Sequence, residues 1–87
     1  MIDLTKYNFN DDELHFLDLI KADIKNQNEI DLQYNDYSFC IEPSGDELTV
    51  VDTTGEIGVY NGFDDLFANF IIDGKPLIDL VPYLDFA

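Results

Sequence analysis

The sequence contains no arginine and only four lysines (Lys6, Lys21, Lys25 and Lys75) against 19 acidic residues, a formal net charge of −15. Contacts to nucleic-acid phosphates need Lys or Arg gathered into a basic patch, so direct nucleic-acid binding is not expected. The same shortage argues against adsorption to anionic membranes. The single cysteine, Cys40, excludes an internal disulfide framework and points to a reducing or redox-indifferent setting. With His15 as the only histidine, the two cannot complete a structural zinc site. The first residues, Met-Ile-Asp-Leu-Thr-Lys, lack the basic and continuous apolar stretches of a signal peptide, and no run approaches the ~20 residues of a membrane span. Cytoplasmic residence is the expectation.

What is present argues for a folded chain. Apolar residues make up 46% of the sequence and aromatics 14%, so the low-hydrophobicity signature of disorder is missing despite the charge. At 87 residues there is room for one core, and a single domain spanning 1–87 is expected.

The region from Phe9 to Asn26 carries helix-start signals. Asn10 is positioned to cap, Glu13 stands three residues on as in a capping box, and Phe9 is placed to staple onto Leu14. Leu14, Leu17, Ile20 and Ile24 recur at helical spacing, and acids load the first turn as the macrodipole favours. A helix over roughly 11–26 follows, with a polar face on Asp11, His15, Asp18 and Ala22. From Glu29 the period changes to two. Ile30, Leu32 and Tyr34 alternate with Glu29, Asp31 and Gln33, and after Asn35-Asp36 the alternation resumes with Tyr37, Phe39 and Ile41, which predicts a β-hairpin. Pro43-Ser44-Gly45-Asp46 and Thr53-Thr54-Gly55-Glu56 supply two further turns around a third strand, Glu47 to Asp52, and a short fourth, Ile57 to Tyr60. Asn61 is placed to cap a second helix carrying Phe63, Leu66, Phe67, Phe70 and Ile71, ended by Asp73-Gly74. Pro76 to Val81 reads as a short third helix or a strand, stopped by Pro82, and the apolar tail Tyr83 to Phe86 should dock on the body. The expected class is α+β: an N-terminal helix, a three- to four-stranded antiparallel meander, and one or two C-terminal helices.

Little in this chain points to catalysis. A Cys40–His15 pair lacks an orienting third group, and His15 beside the acidic first turn reads as a solvated side chain. Paired-carboxylate chemistry is uninformative where acids are this abundant. Asp31 and Glu42 stand at the first and twelfth positions of an EF-hand-length loop, yet the sixth position, normally Gly, is Asp36, and the alternation demands a hairpin instead. No enzyme activity, metal or cofactor is expected.

The acidity itself remains to be explained. It serves solubility at the cost of self-repulsion. Its placement suggests more, because Glu29, Asp31, Glu42 and Glu47 fall on outward positions of neighbouring strands, where like charges destabilise a sheet. Alternate strand residues lie ~6.6 Å apart, about twice the ~3.4 Å rise per phosphate along one nucleic-acid strand. With Asp36 in the hairpin turn, Asp11, Asp12, Glu13 and Asp18 on the first helix, and Asp64 and Asp65 on the second, these carboxylates form the candidate partner-binding set. They suit a basic, nucleic-acid-binding protein, with Tyr34, Tyr37 and Tyr60 as candidate anchors at the rim.

The size, the negative charge, the lack of Arg and the order of one helix, a three-stranded meander and terminal helices resemble the small phage-borne anti-CRISPR inhibitors that act as DNA mimics. The resemblance covers the architecture of the whole chain and no motif, so no functional residue carries over. It implies occupancy of the basic site with which an RNA-guided nuclease reads its protospacer-adjacent motif. The apolar Leu77 to Phe86 segment departs from the more polar tails of such inhibitors. Two other functions fit the same residues: an immunity protein or antitoxin against a basic nuclease, and a structural or oligomerisation protein of a phage or mobile element assembled through Tyr83, Leu84 and Phe86.

Overall fold

The computed structural model describes residues 2–87, and its architecture is α+β. A 3-10 helix, Leu4–Tyr7, precedes α1 (Asp11–Lys25). The expected capping box is present: the Glu13 N–H donates to Asn10 Oδ1 and the Asn10 N–H donates to Glu13 Oε1, both at 2.8 Å. Leu17 and Ile20 are buried, whereas Leu14 stays largely at the surface. Phe9 and Leu14 share a shallow surface hollow with Leu4, and the Phe9 ring stacks on Tyr7 at 5.4 Å. Two of the expected apolar positions on α1 therefore carry its burial.

Strands β1 (Ile30–Tyr34), β2 (Tyr37–Ser44), β3 (Glu47–Asp52) and β4 (Gly55–Asn61) form the meander. The two-residue turn at Asn35-Asp36 places Tyr34 opposite Tyr37 and so fixes the remaining pairs, Leu32 with Phe39 and Ile30 with Ile41. β4 is longer than the expected Ile57 to Tyr60. A register shift opposite Val50 and Val51 takes up one extra residue there, as a β-bulge does, and pairing continues on both sides of it.

The C-terminal third corrects three expectations. α2 (Gly62–Asn69) ends before Phe70. Asp73-Gly74 is not its terminator but the turn of a small hairpin, β5 (Ile71–Ile72) with β6 (Lys75–Pro76), because both turn residues have positive φ, 54° and 76°. Asn61 makes no side-chain cap. Instead the Asp65 carboxylate, on the first turn of α2, accepts the Asn61 N–H at 2.8 Å and the Asn69 amide at 2.6 Å. The third helix is a 3-10 segment, Leu77–Tyr83, which contains Pro82 rather than stopping at it. A proline so near the end of a short 3-10 run removes one hydrogen-bond donor and leaves the preceding turns intact.

The tail docks as expected, in the form of a strand. β7 (Leu84–Phe86) pairs antiparallel with β1, Leu32 opposite Phe86 and Tyr34 opposite Leu84, giving a five-stranded sheet of order β4-β3-β2-β1-β7. Phe86 also reaches α1, its ring 4.8 Å from that of Phe16. One hydrophobic cluster joins Leu17 and Ile20 of α1, alternate residues of β1–β3, Leu66 and Phe67 of α2, and Leu77, Ile78, Leu80 and Val81. The helices thus lie on one face of the sheet, and among the described residues no layer covers the other face.

Candidate partner-binding site

Alternation leaves Asp31 and Gln33 of β1, Ser38 and Glu42 of β2, and Glu47 of β3 exposed on the uncovered face. Asp85 of β7 joins them opposite Gln33. None of the five strands contains a lysine, so this face carries carboxylates with no opposing cation on the sheet. The hairpin register brings Glu29, Cys40 and Glu42 together, the two carboxylates and the Cys40 thiol having ligand atoms within 4.8 Å of one another. Like charges held that close on a sheet oppose folding by roughly 1 kcal/mol even at water's dielectric.

Cys40 lies opposite Asp31 in this arrangement. Burial first, then Asp31, Glu29 and Glu42, push its thiol up to about 12, so it stays protonated and a poor nucleophile at neutral pH. His15 is exposed on α1, in the helix layer, while Cys40 belongs to the uncovered sheet face. The sheet therefore stands between the two, and the pairing considered from sequence does not form. Asp31 and Glu42, the ends of the EF-hand-length stretch, lie on adjacent strands without a loop to wrap an ion.

The remaining candidate carboxylates are not on this face. Asp11, Asp12 and Asp18 are exposed on α1, and Glu13 is engaged in the capping box. Asp65 is engaged by Asn61 and Asn69, which hold its carboxyl below the usual range, and Asp64 is half-buried beside it. The predicted set thus divides between two sides of the molecule. Glu29, Asp31, Glu42 and Glu47 gather on the uncovered face, and the helix acids stay with α1 and α2 on the other side.

Asp36 belongs to a third feature. The three tyrosines singled out from sequence, Tyr34, Tyr37 and Tyr60, line one cleft of about 800 Å³ between the β1–β2 turn and the β5–β6 hairpin. Asp36 stands in one turn and Asp73 in the other, with Phe70, Ile57 and Ile71 completing apolar walls. The Tyr37 hydroxyl donates to Asp52 Oδ2 at 2.6 Å. Burial first, and then Asp52, raise that hydroxyl to about 12. Burial raises Tyr60 as well, with a smaller effect of Asp65.

Sequence reasoning missed Asp73 and Ile71 as cleft residues because it placed them in or after α2. The signal was available, since Asp-Gly is a favoured two-residue hairpin turn. The Glu29–Cys40–Glu42 grouping was likewise legible, because a two-residue turn after Tyr34 sets every pair in the hairpin.

No known protein family, no characterised protein sequence and no solved structure matches this chain. Among the described residues no helix is long and apolar enough to cross a membrane. Of the residues considered for self-assembly, Leu84 is buried in the core, Phe86 leans on Phe16, and Tyr83 is 65% exposed.

Proposed function

We propose that this protein is a non-enzymatic binder of a basic, nucleic-acid-binding protein, which it engages through the uncovered sheet face as a phosphate-backbone mimic. The observation that carries the reading is the lysine-free face on which Asp31, Glu42 and Glu47 project from three adjacent strands, with Glu29 just before β1. Strands ~4.8 Å apart and alternate residues ~6.6 Å apart place these charges at separations comparable with phosphates. A fold that needed acidity only for solubility has no reason to bring Glu29 and Glu42 together across one hairpin. A basic groove relieves that repulsion, and the long-range field speeds encounter. The same chemistry serves an inhibitor of a foreign nuclease and an immunity protein for a toxic one.

The test is capture of a partner from nuclease-treated host lysate by tagged protein, with the eluate identified by mass spectrometry and each candidate purified. Support requires that the captured protein binds duplex DNA, that DNA competes for it, and that binding falls at least tenfold between 50 and 300 mM salt. Glu29→Gln, Asp31→Asn, Glu42→Gln and Glu47→Gln together should abolish it. Binding that survives this quadruple substitution, or a partner indifferent to DNA, would sink the mimic reading.

A further inference from the structure

The cleft between the β1–β2 turn and the β5–β6 hairpin is separate from the acidic sheet face and has a different chemistry. Tyr34, Tyr37, Tyr60 and Phe70 line it, and Asp36 and Asp73 of the two flanking turns bring a carboxylate each. No lysine lines it. The rings are held in place: Tyr37 stacks against Phe39 at 5.5 Å and is tethered to Asp52, and Tyr60 lies 5.9 Å from Phe70, which itself meets Phe39 edge-on. Aromatic faces attract cations through their quadrupole, and carboxylates at the rim add direct charge. At about 800 Å³ the cleft lies within the ~300–1,000 Å³ range of ligand pockets, more room than one side chain fills. Ile57 and Ile71, 40% and 53% exposed, offer apolar surface for an alkyl stem.

We infer that this cleft receives an arginine side chain, with its flanking residues, from the protein partner. Arginine fits better than lysine because a planar guanidinium stacks on rings while its fork of donors pairs with carboxylates, and it sheds water more readily than an ammonium. Charge complementarity identifies the occupant: two carboxylates and four rings, with no cation among the lining residues. The inference rests on the reading of the protein as a binder of a basic partner, and it adds the anchor that gives such a contact specificity. Charge on the sheet face draws in many basic surfaces, whereas a shaped aromatic pocket selects one that presents an arginine at the right place.

The test uses the full chain and three blocked tripeptides, acetyl-Gly-Xaa-Gly-amide with Xaa arginine, lysine or citrulline, titrated by NMR. The expected result is saturable movement of the Tyr34, Tyr37 and Tyr60 ring signals with the arginine peptide. Lysine should bind several-fold more weakly, and citrulline, the neutral near-isostere, at least tenfold more weakly. Asp36→Asn with Asp73→Asn, both at exposed turn positions where Asn suits the backbone, should weaken the arginine peptide at least fivefold. The quadruple substitution on the sheet face should leave it unchanged. Equal binding of citrulline, or shifts confined to Glu29, Asp31, Glu42 and Glu47, overturns the inference. N-butylguanidine binding as tightly as the tripeptide also overturns it, in favour of a free small cation. The two readings fail separately. Loss of the arginine site with DNA-competed partner binding intact removes only the cleft, and an intact arginine site with partner binding indifferent to the sheet-face substitutions removes only the mimic.

Discussion

The hydroxyl of Tyr37 donates to Asp52 at 2.6 Å, joining the start of β2 to the end of β3 across 15 residues. Asp52 also accepts from the N–H and hydroxyl of Thr54, so one carboxylate organises the β3–β4 turn and fixes a ring in the cleft wall. Tyr37→Phe should cost about 1 kcal/mol in urea unfolding, the usual net value of a hydrogen bond. Ultraviolet titration should show a phenol ionising near the value of about 12 to which Tyr37 is raised, and the variant should lose that component while the raised Tyr60 remains. The sign follows from linkage. A raised phenol contributes stability that is intact below its unfolded value of about 10 and is lost as pH climbs through 12. Asp52 acts at the other end of the scale, because Thr54 first and Tyr37 second lower its pKa. Its contribution is present above the unfolded value of about 3.9 and is lost as pH falls through the lower folded one.

Gln27 and Gly45 form a second tie. The Gln27 amide donates to the Gly45 carbonyl at 3.1 Å and accepts the Gly45 N–H at 2.6 Å, bracing the α1–β1 connection against the β2–β3 turn. Gln27 itself sits at φ 60°, a conformation glycine adopts without strain. Gln27→Ala should destabilise by about 1–2 kcal/mol through lost hydrogen bonds with the backbone strain retained. Gln27→Gly loses the same bonds but relieves the strain, so its midpoint in urea should fall closer to that of the parent. Equal midpoints for the two variants would show that the backbone at this position is not strained.

Cys40 should react slowly. With its thiol raised by burial and by Asp31, Glu29 and Glu42, modification by an anionic disulfide reagent at pH 8 should be at least tenfold slower than for the urea-unfolded chain. Replacing the three acids with their amides should recover part of the difference, because burial, the largest cause, remains.

Added salt should stabilise the fold. A net charge of −15 on a small domain is self-repulsive, and screening relieves it. Raising sodium chloride from 20 to 500 mM should lift the thermal midpoint by several degrees, at roughly 4–8 °C per kcal/mol for a domain of this size. The sheet-face quadruple substitution should lift it at low salt and flatten the salt response.

Removing residues 84–87 should do more harm than loss of a frayed tail. It strips the Leu84–Phe86 strand from β1, uncovers Phe16 and Leu32, and leaves a β1 edge free to pair with another chain. The truncated protein should aggregate on concentration, as light scattering would show.

Local patterns were the legible part. The Asn10–Glu13 capping box, the alternation from Ile30 to Ile41 and the two-residue turn between those runs each depend on residues a few positions apart, and each stands in the structure as the sequence predicts. Apart from the exposure of Leu14 and the length of β4, the misreadings lie from Asn61 onward, where short apolar runs fit helix and strand alike. Ile71 continues the helical spacing from Phe63, yet Asp73-Gly74 turns the chain back, and the hairpin wins because positive φ at both residues suits a tight turn. Of the candidate site, outward placement of Glu29, Asp31, Glu42 and Glu47 followed from the period of two. The division of the acids between two sides did not, because it depends on which face of the sheet the helices cover.

Charge, the want of arginine and the face each strand residue takes are properties of composition and local spacing, so the amino-acid sequence alone settles them. The gathering of Tyr34, Tyr37 and Tyr60 with Asp36 and Asp73 is of another kind. Those residues are up to 39 positions apart, and only the docking of the β5–β6 hairpin beside the β1–β2 turn closes the cleft around them. β7 is the same case. Nothing within Leu84-Asp85-Phe86 names its partner, and it becomes a strand because β1 offers an open edge beside the apolar core that Leu84 fills.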